Sequence, residues 1–435
     1  MFALALALAL LACADGQGAD AGGSAATGTP GDGAPTEGAA PAPGAAGGAA
    51  PRRAVRPGIE VLLTDSLRLV SGRRVGLVTN HTGIDSEGRS DIDLLAEHSA
   101  VELVALFAPE HGIRGDAQDG VTIASDVDTR TGIPIHIFSL YGATREPTPA
   151  MLEGVEVLLF DMQDVGARYY TYVSTMALSM EAAGEAGIPF VVLDRPNPIR
   201  GDVVQGNVLD PGFATFVGMY PVPMRHGMTP GELARMYVGE FGIEVDLSVV
   251  PADGWSRAAT FDETGLPWVP PSPNMPSLES ALAYPGTCLF EGTNLSVGRG
   301  TDRAFQWVGA PWLDAEAVAA ALNARGLADV RFEATTFVPR SPSDGKYDGQ
   351  EVRAVRVLSE STAYDAPRAA VEMLVEIHRR HPVEWAWLAT FDRLAGTDEL
   401  RLGISAGLDG DALAGEWGAA ASAFDRVRTP YLIYR

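Results

Sequence analysis

The stretch Val155 to Arg168, Val-Glu-Val-Leu-Leu-Phe-Asp-Met-Gln-Asp-Val-Gly-Ala-Arg, is an apolar run that stops at acids and an arginine. Three other runs end the same way. Val75 to Val78 meets Asn80 and His81, Leu103 to Phe107 meets Glu110 and His111, and Ile188 to Leu193 meets Asp194, Arg195 and Asn197. Short, bounded apolar runs alternating with helical patterns read as buried parallel strands joined by right-handed crossovers. Such strands bring their carboxyl ends to one sheet edge, where open α/β folds hold their ligands. The pattern predicts a single crevice that gathers acids, histidines and arginines.

The segments between the runs support this reading. Ser90 to Glu97 has Ser90 and Asp93 at the spacing of a capping box, and Ser174 to Glu185 carries Met176, Ala177, Met180 and Ala183 on one helical face. Ile133 to Phe138 adds a further strand, with His136 expected inside it as an interior histidine. Beyond Gly201 the texture loosens. Thr229, Pro230 and Glu232 form a strong helix start, so Pro230 to Phe241 should be helical, and His226 just ahead of it should face the crevice. Pro270 to Pro276, Pro-Pro-Ser-Pro-Asn-Met-Pro, suits a rigid extended wall. Ala315 to Asn323 and Ala366 to Arg379 read as helices, and Val352 to Leu358 as a strand. The expected architecture is a Rossmann-like parallel-sheet domain over residues 58–205, then a smaller α+β domain over residues 206–435, with the active site in the cleft between them.

The first residues have a different character. Phe2 to Leu11 is apolar but too short to span a bilayer, and Leu10, Leu11, Ala12 and Cys13 have the form of a lipobox. Residues 1–13 thus read as a lipoprotein signal with Cys13 lipidated; an ordinary secretory peptide is the alternative. Residues 14–57 are mostly Gly, Ala, Pro, Ser, Thr and Asp, a composition that cannot bury enough apolar surface to fold, and read as a disordered tether. The expected location is the cell envelope, with membrane contact only through the lipid. Of the 435 residues, 46% are hydrophobic, enough for one or two cores. A net charge of −24 argues against a nucleic-acid partner. Lys346 is the only lysine, a bias that fits a GC-rich genome. Cys288 is the only cysteine besides Cys13, which leaves no intrachain disulfide.

Glu110 is the leading catalytic candidate. Pro109 and Gly112 bracket a tight exit from a buried run and would project its carboxyl into the crevice as a general acid. The bland reading is a loop salt bridge to Arg114. His111 could orient that acid or touch the ligand. Phe160 to Tyr172 combines Asp161, Asp164 and Arg168 with Tyr169, Tyr170 and Tyr172, the mix of polar groups and flat faces that sugar rings require; an Asp161–Arg168 ion pair beside packed tyrosines would also account for it. Asn197, in a rigid turn with Asp194 and Arg195, is equally a ligand contact or a structural residue. From Phe290 to Arg303, Glu291, Asn294, Arg299 and Arg303 sit among glycines, and an arginine fork there suits a carboxylate; a purely conformational loop is the other reading. No dinucleotide fingerprint, Walker loop, nucleophile elbow or His-Glu-x-x-His helix is present, so no cofactor is expected. His81, His111, Asp161 and Asp194 lack metal-ligand spacing, so no metal is expected either.

Thr79 to Gly83, Ala108 to Gly112, Met162 to Gly166 with Tyr169 to Tyr172, Val192 to Pro198, Pro271 to Pro276, and Phe290 to Thr301 with Gly309 to Trp312 together resemble the bacterial exo-β-N-acetylmuramidase family, long a domain of unknown function. The resemblance runs from about Gly58 to Arg435. It implies hydrolysis of terminal β-1,4-linked N-acetylmuramic acid from the non-reducing end of peptidoglycan fragments, with the family's glutamate on Glu110. It also gives Arg299 or Arg303 the substrate's lactyl carboxylate, and the Pro270 to Pro276 wall the closed end that an exo-acting cleft needs. A glycosidase ordinarily needs a second carboxylate. Asp161 and Glu291 are the candidates, unless the sugar's own acetamido group is the nucleophile. His81, His111, Asp164, Arg168, Tyr169, Asn197, His226 and Asn294 are the remaining candidate substrate contacts. The rivals are a non-catalytic lipoprotein that binds muropeptides and a metal-dependent hydrolase acting on another bond.

Overall fold

The structure, a computed structural model, describes residues 54–114, 126–128, 135–142 and 144–435. Cys13 and the tether up to residue 53 lie outside these residues. The tether's expected end at Pro57 is corrected: Val55 is buried with its N–H on the Thr264 carbonyl at 2.9 Å, and Arg56 bridges Asp253.

The apolar runs form β1 (Arg74–Thr79), β2 (Glu102–Ala108), β4 (Ile135–Ser139), β5 (Val157–Asp161) and β6 (Phe190–Leu193), with a short β3 (Asp126–Asp128) at one edge. β7 (Gln205–Val208) and β8 (Pro223–Arg225) make a separate two-stranded ribbon, and β9 (Leu247–Val250) returns to the main sheet. The order is β3-β4-β2-β1-β5-β6-β9, all neighbours parallel except β3 and β4. Residues along each strand alternate between two apolar layers. Val157 and Leu159 of β5, and Val191 and Leu193 of β6, pack on one face with α1 (Gly58–Asp65) and α2 (Asp91–Glu97). Leu158, Phe160, Phe190 and Val192 pack on the other with α3 (Tyr172–Glu185) and α4 (Pro230–Phe241). Burial of both faces explains why these runs lack polar alternation.

α5 (Leu278–Thr287), β10 (Trp307–Ala310), α6 (Ala315–Ala324), β11 (Val330–Phe337), β12 (Val352–Ser359), α7 (Ala366–Arg380) and α8 (Phe391–Ala395) follow. The strands form an antiparallel sheet in the order β10-β12-β11. α7 buries Ala370, Met373, Leu374 and Ile377 on a helical stripe. Phe107 and Phe160 of the parallel sheet share one continuous core with Val355 of β12 and Leu374 of α7. The two halves of the chain therefore stabilise each other, and the parallel sheet takes its β9 edge from beyond residue 205.

Several local expectations change. His136 is exposed, not interior, because the alternation of β4 turns it outward, where it stacks on Phe138 with ring centroids 5.9 Å apart. Ser90 caps α2 by accepting the Ile92 N–H at 3.2 Å and not through a reciprocal box with Asp93. The α4 capping box between Thr229 and Glu232 is present in full. Pro270 to Pro276 is a run of bends with a turn from the Met275 N–H to the Ser272 carbonyl, not an extended rod.

Candidate active site

β2 ends at Ala108, and Pro109, which has no N–H to continue a ladder, is followed by Glu110. His111 and Gly112 then both take positive φ, 71° and 74°, a strained geometry for the histidine that turns the chain sharply and leaves Glu110 at the crest. Thr171, immediately before α3, already has helical backbone angles, and its hydroxyl donates to Glu110 Oε2 at 2.7 Å.

Glu110 lines two adjoining cavities of about 370 and 320 Å³, which share Tyr141, Thr171, Glu291 and Arg299 and so form one cleft. The smaller cavity is the inner one. Its walls include Tyr169, Tyr170, Tyr284 and Phe305, all buried, with Tyr284 meeting the other three rings edge to face at 4.6–5.8 Å. Burial pushes the hydroxyls of Tyr169, Tyr170 and Tyr284 well above the ordinary tyrosine range, so they stay neutral. Ser272, Asn274 and Met275 close another side, which gives the proline-rich segment its expected place as a wall.

Glu291 reaches the cleft from the short helical turn after α5. Arg299 Nε donates to its Oε1 at 2.5 Å, and the Cys288 thiol lies 3.6 Å from its Oε2. Burial, reinforced by the Glu291 charge, drives that thiol well above its usual range, so it is a neutral neighbour. Arg299 is buried against Phe305, its guanidinium 5.2 Å from the ring centroid. Gly298 and Gly300 flank it at φ of 80° and 76°, and a Cβ on Gly300 would fall 2.7 Å from the Arg340 carbonyl. The glycines are thus conformational and also serve to aim the arginine. Lys346 ties this loop from behind. Its Nζ donates to the Leu295 carbonyl at 2.9 Å and lies 3.5 Å from that of Glu291, and burial lowers its pKa.

Other expected site residues lie elsewhere. Asp161 is wholly buried and paired with the Arg195 guanidinium, which also holds the Ile84 carbonyl at 2.9 Å; it lines neither cavity, and its partner is Arg195, not Arg168. Burial raises its pKa against the pull of Arg195. Asp164 is buried, pushed up to about 7, and accepts the Gly166 N–H at 2.7 Å. His226, 3.9 Å from it, is lowered to about 3 by burial and by Arg428, so the two form no ion pair near neutrality. Asn197 holds the Met228 carbonyl and the Ile199 N–H. Arg168, lowered to about 10 by burial, donates to the carbonyls of Asn207, Val222, Leu394 and Ala395; it shapes the cleft only through Leu394, which lines it. Asn294 is bonded to the backbone of Glu384 and Ala386, Arg303 is half-exposed beside Asp302, and His81 meets the Pro270 carbonyl; none of the three lines the cleft. His111, Tyr169 and Arg299 do line it.

Sequence reasoning missed Thr171, Lys346 and the outer cations Arg145 and Arg393. The uniqueness of Lys346 in the chain was the one available signal.

Residues 75–279 match the family model described as exo-beta-N-acetylmuramidase NamZ, N-terminal, and residues 282–434 match its C-terminal counterpart. The chain is 44% identical over 383 residues to the peptidoglycan beta-N-acetylmuramidase NamZ of Bacillus subtilis, covering 87% of this chain and 91% of that protein. Crystal structures of two DUF1343 family proteins from Bacteroides fragilis superpose with TM-scores of 0.81 and 0.70 at 35% and 31% identity. Each covers 88% of this chain, and the alignments span 100% and 99% of those chains.

Proposed function

The chain belongs to the exo-β-N-acetylmuramidase family, and from that premise we propose that its cleft releases terminal β-1,4-linked N-acetylmuramic acid from the non-reducing end of peptidoglycan fragments. The observation that carries the reading is that Glu110 and Glu291 line one cleft whose inner end is walled by buried aromatic rings. Those faces suit the apolar side of a sugar ring, and a walled inner end suits attack on a terminal residue.

Glu110, held by Thr171, donates the proton to the departing glycosidic oxygen. Glu291 takes the role of second carboxylate in preference to Asp161, because a carboxylate sealed against Arg195 cannot meet a sugar or a water. It acts directly at the anomeric centre or orients the sugar's acetamido group, and the anomer first released separates these routes. Arg299, the cleft-lining member of the candidate pair, is the one suited to the lactyl carboxylate, shared with Glu291. Cys13 is read as a lipid anchor that holds the enzyme in the cell envelope, supported by the lipobox pattern.

The deciding experiment incubates the purified protein with the disaccharide N-acetylmuramyl-β-1,4-N-acetylglucosamine. Free N-acetylmuramic acid is expected. Saturable binding without release would replace the hydrolase with a muropeptide-binding protein, and loss of release in a strong chelator would point to a metal-dependent reaction.

A further inference from the structure

The outer cavity carries a pair of cations that hydrolysis of the terminal sugar does not use. Arg145 and Arg393 both line it and both are exposed, whereas the rings of the inner cavity are buried. Neither forms an ion pair with a described residue. Arg145 rests its guanidinium 4.4 Å over the Phe216 ring, and Asp392, beside Arg393 in sequence, is committed to Arg401 at 2.8 Å. The cavity's acids have partners of their own: Asp344 lies 3.7 Å from Lys346, Glu291 is paired with Arg299, and Glu110 accepts from Thr171. The acids of this cavity are thus engaged while Arg145 and Arg393 are not, which leaves the two guanidinium groups at the mouth available to an anionic ligand.

Resting on the muramidase reading above, we propose that the outer cavity is a carboxylate-recognising subsite for the part of the glycan beyond the cleaved bond. If the terminal muramic acid fills the inner cavity, the next sugar, N-acetylglucosamine, is uncharged. The one after it carries a lactyl carboxylate, alone or extended by a peptide stem that ends in a carboxylate. Arg145 and Arg393 recognise that anion by charge-assisted hydrogen bonds, and the Phe216 face gives the sugar an apolar platform. The enzyme is thereby selective for fragments longer than the disaccharide.

The test measures binding by calorimetry to Glu110→Gln protein at low and high salt, using the peptide-free disaccharide and the corresponding tetrasaccharide with its second lactyl group. The tetrasaccharide should bind about tenfold more tightly at low salt and lose most of that advantage at high salt. Adding Arg145→Ala and Arg393→Ala should reduce the advantage to about twofold or less, and the single Arg393→Glu change should do so with one substitution. Equal affinities in the parent, no binding of the tetrasaccharide, or an advantage that survives these changes overturns the subsite. Failure of the hydrolase reading is distinguishable, since it appears as an unaltered Glu110 protein that releases no muramic acid from either oligosaccharide.

Discussion

Glu110 and Asp161 flank the same central strand, β1, since β2 and β5 pair on its two sides, yet one acid lines a cleft and the other is sealed in the core. Asp161 is the last residue of its strand and still stands in register opposite Thr79, so it remains at the depth of the sheet and must find a buried counter-charge in Arg195. Glu110 lies two residues past the end of β2, where the left-handed turn at His111 and Gly112 has lifted the chain clear. Asp164 is also beyond its strand, but the segment carrying His226 covers it. A carboxyl at the end of a parallel strand can reach a ligand only if the chain leaves the ladder and nothing later packs over it.

The largest effect expected from this contrast is on turnover. Glu110→Gln should lower kcat by about 10³-fold, within the range for loss of a general acid, while the melting temperature moves by less than about 2 °C. Near-native turnover would remove Glu110 from the mechanism. Asp161→Ala should do the reverse, costing about 3–5 kcal/mol in urea unfolding because Arg195 is left buried without its partner. A stable Asp161 variant with abolished turnover would instead place Asp161 in the reaction.

Asp164, sealed like Asp161 but without an arginine, should reveal its burial through pH. Burial raises its carboxyl to about 7, above the value of about 4 in an unfolded chain, so the folded protein holds an extra proton between those two values. The stability from this group is complete below about pH 4 and is lost as pH rises through 7. Asp164→Asn keeps an acceptor for Gly166 and removes the titration. Its stability relative to the parent should therefore rise by about 2–4 kcal/mol between pH 4 and pH 8, measured by urea unfolding at each pH. A difference that does not change with pH would mean that burial leaves the Asp164 carboxyl where it stands in the unfolded chain. The smallest effect belongs to Lys346→Met, which loosens the Glu291 to Leu295 loop without touching substrate. It should lower kcat about fivefold, roughly 1 kcal/mol, with KM less affected; a KM effect alone would give Lys346 a contact with the ligand.

Much of the fold was legible because its signals are local. Apolar runs of four to six residues specify buried strands, and Thr229 with Glu232 marks the start of α4 to the residue. Glu110 was legible because Pro109 and Gly112 are backbone constraints written in sequence. The partner of Asp161 was not, since Arg195 and Arg168 lie 34 and 7 residues away, and only strand order makes the distant one the neighbour. Nothing local marks Thr171 until its hydroxyl is seen on Glu110, and Lys346 reads as a compositional accident until its amino group is found behind Glu291.

By itself, the order of residues determined the parallel sheet, its chemically rich carboxyl edge and the acid lifted from it, because hydrophobic period and backbone stereochemistry act over a few neighbours. Which polar groups at that edge meet solvent is fixed by long-range packing. That choice depends on segments more than 100 residues away, Glu291, Arg299 and Lys346 among them, packing over some carboxyls and beside others.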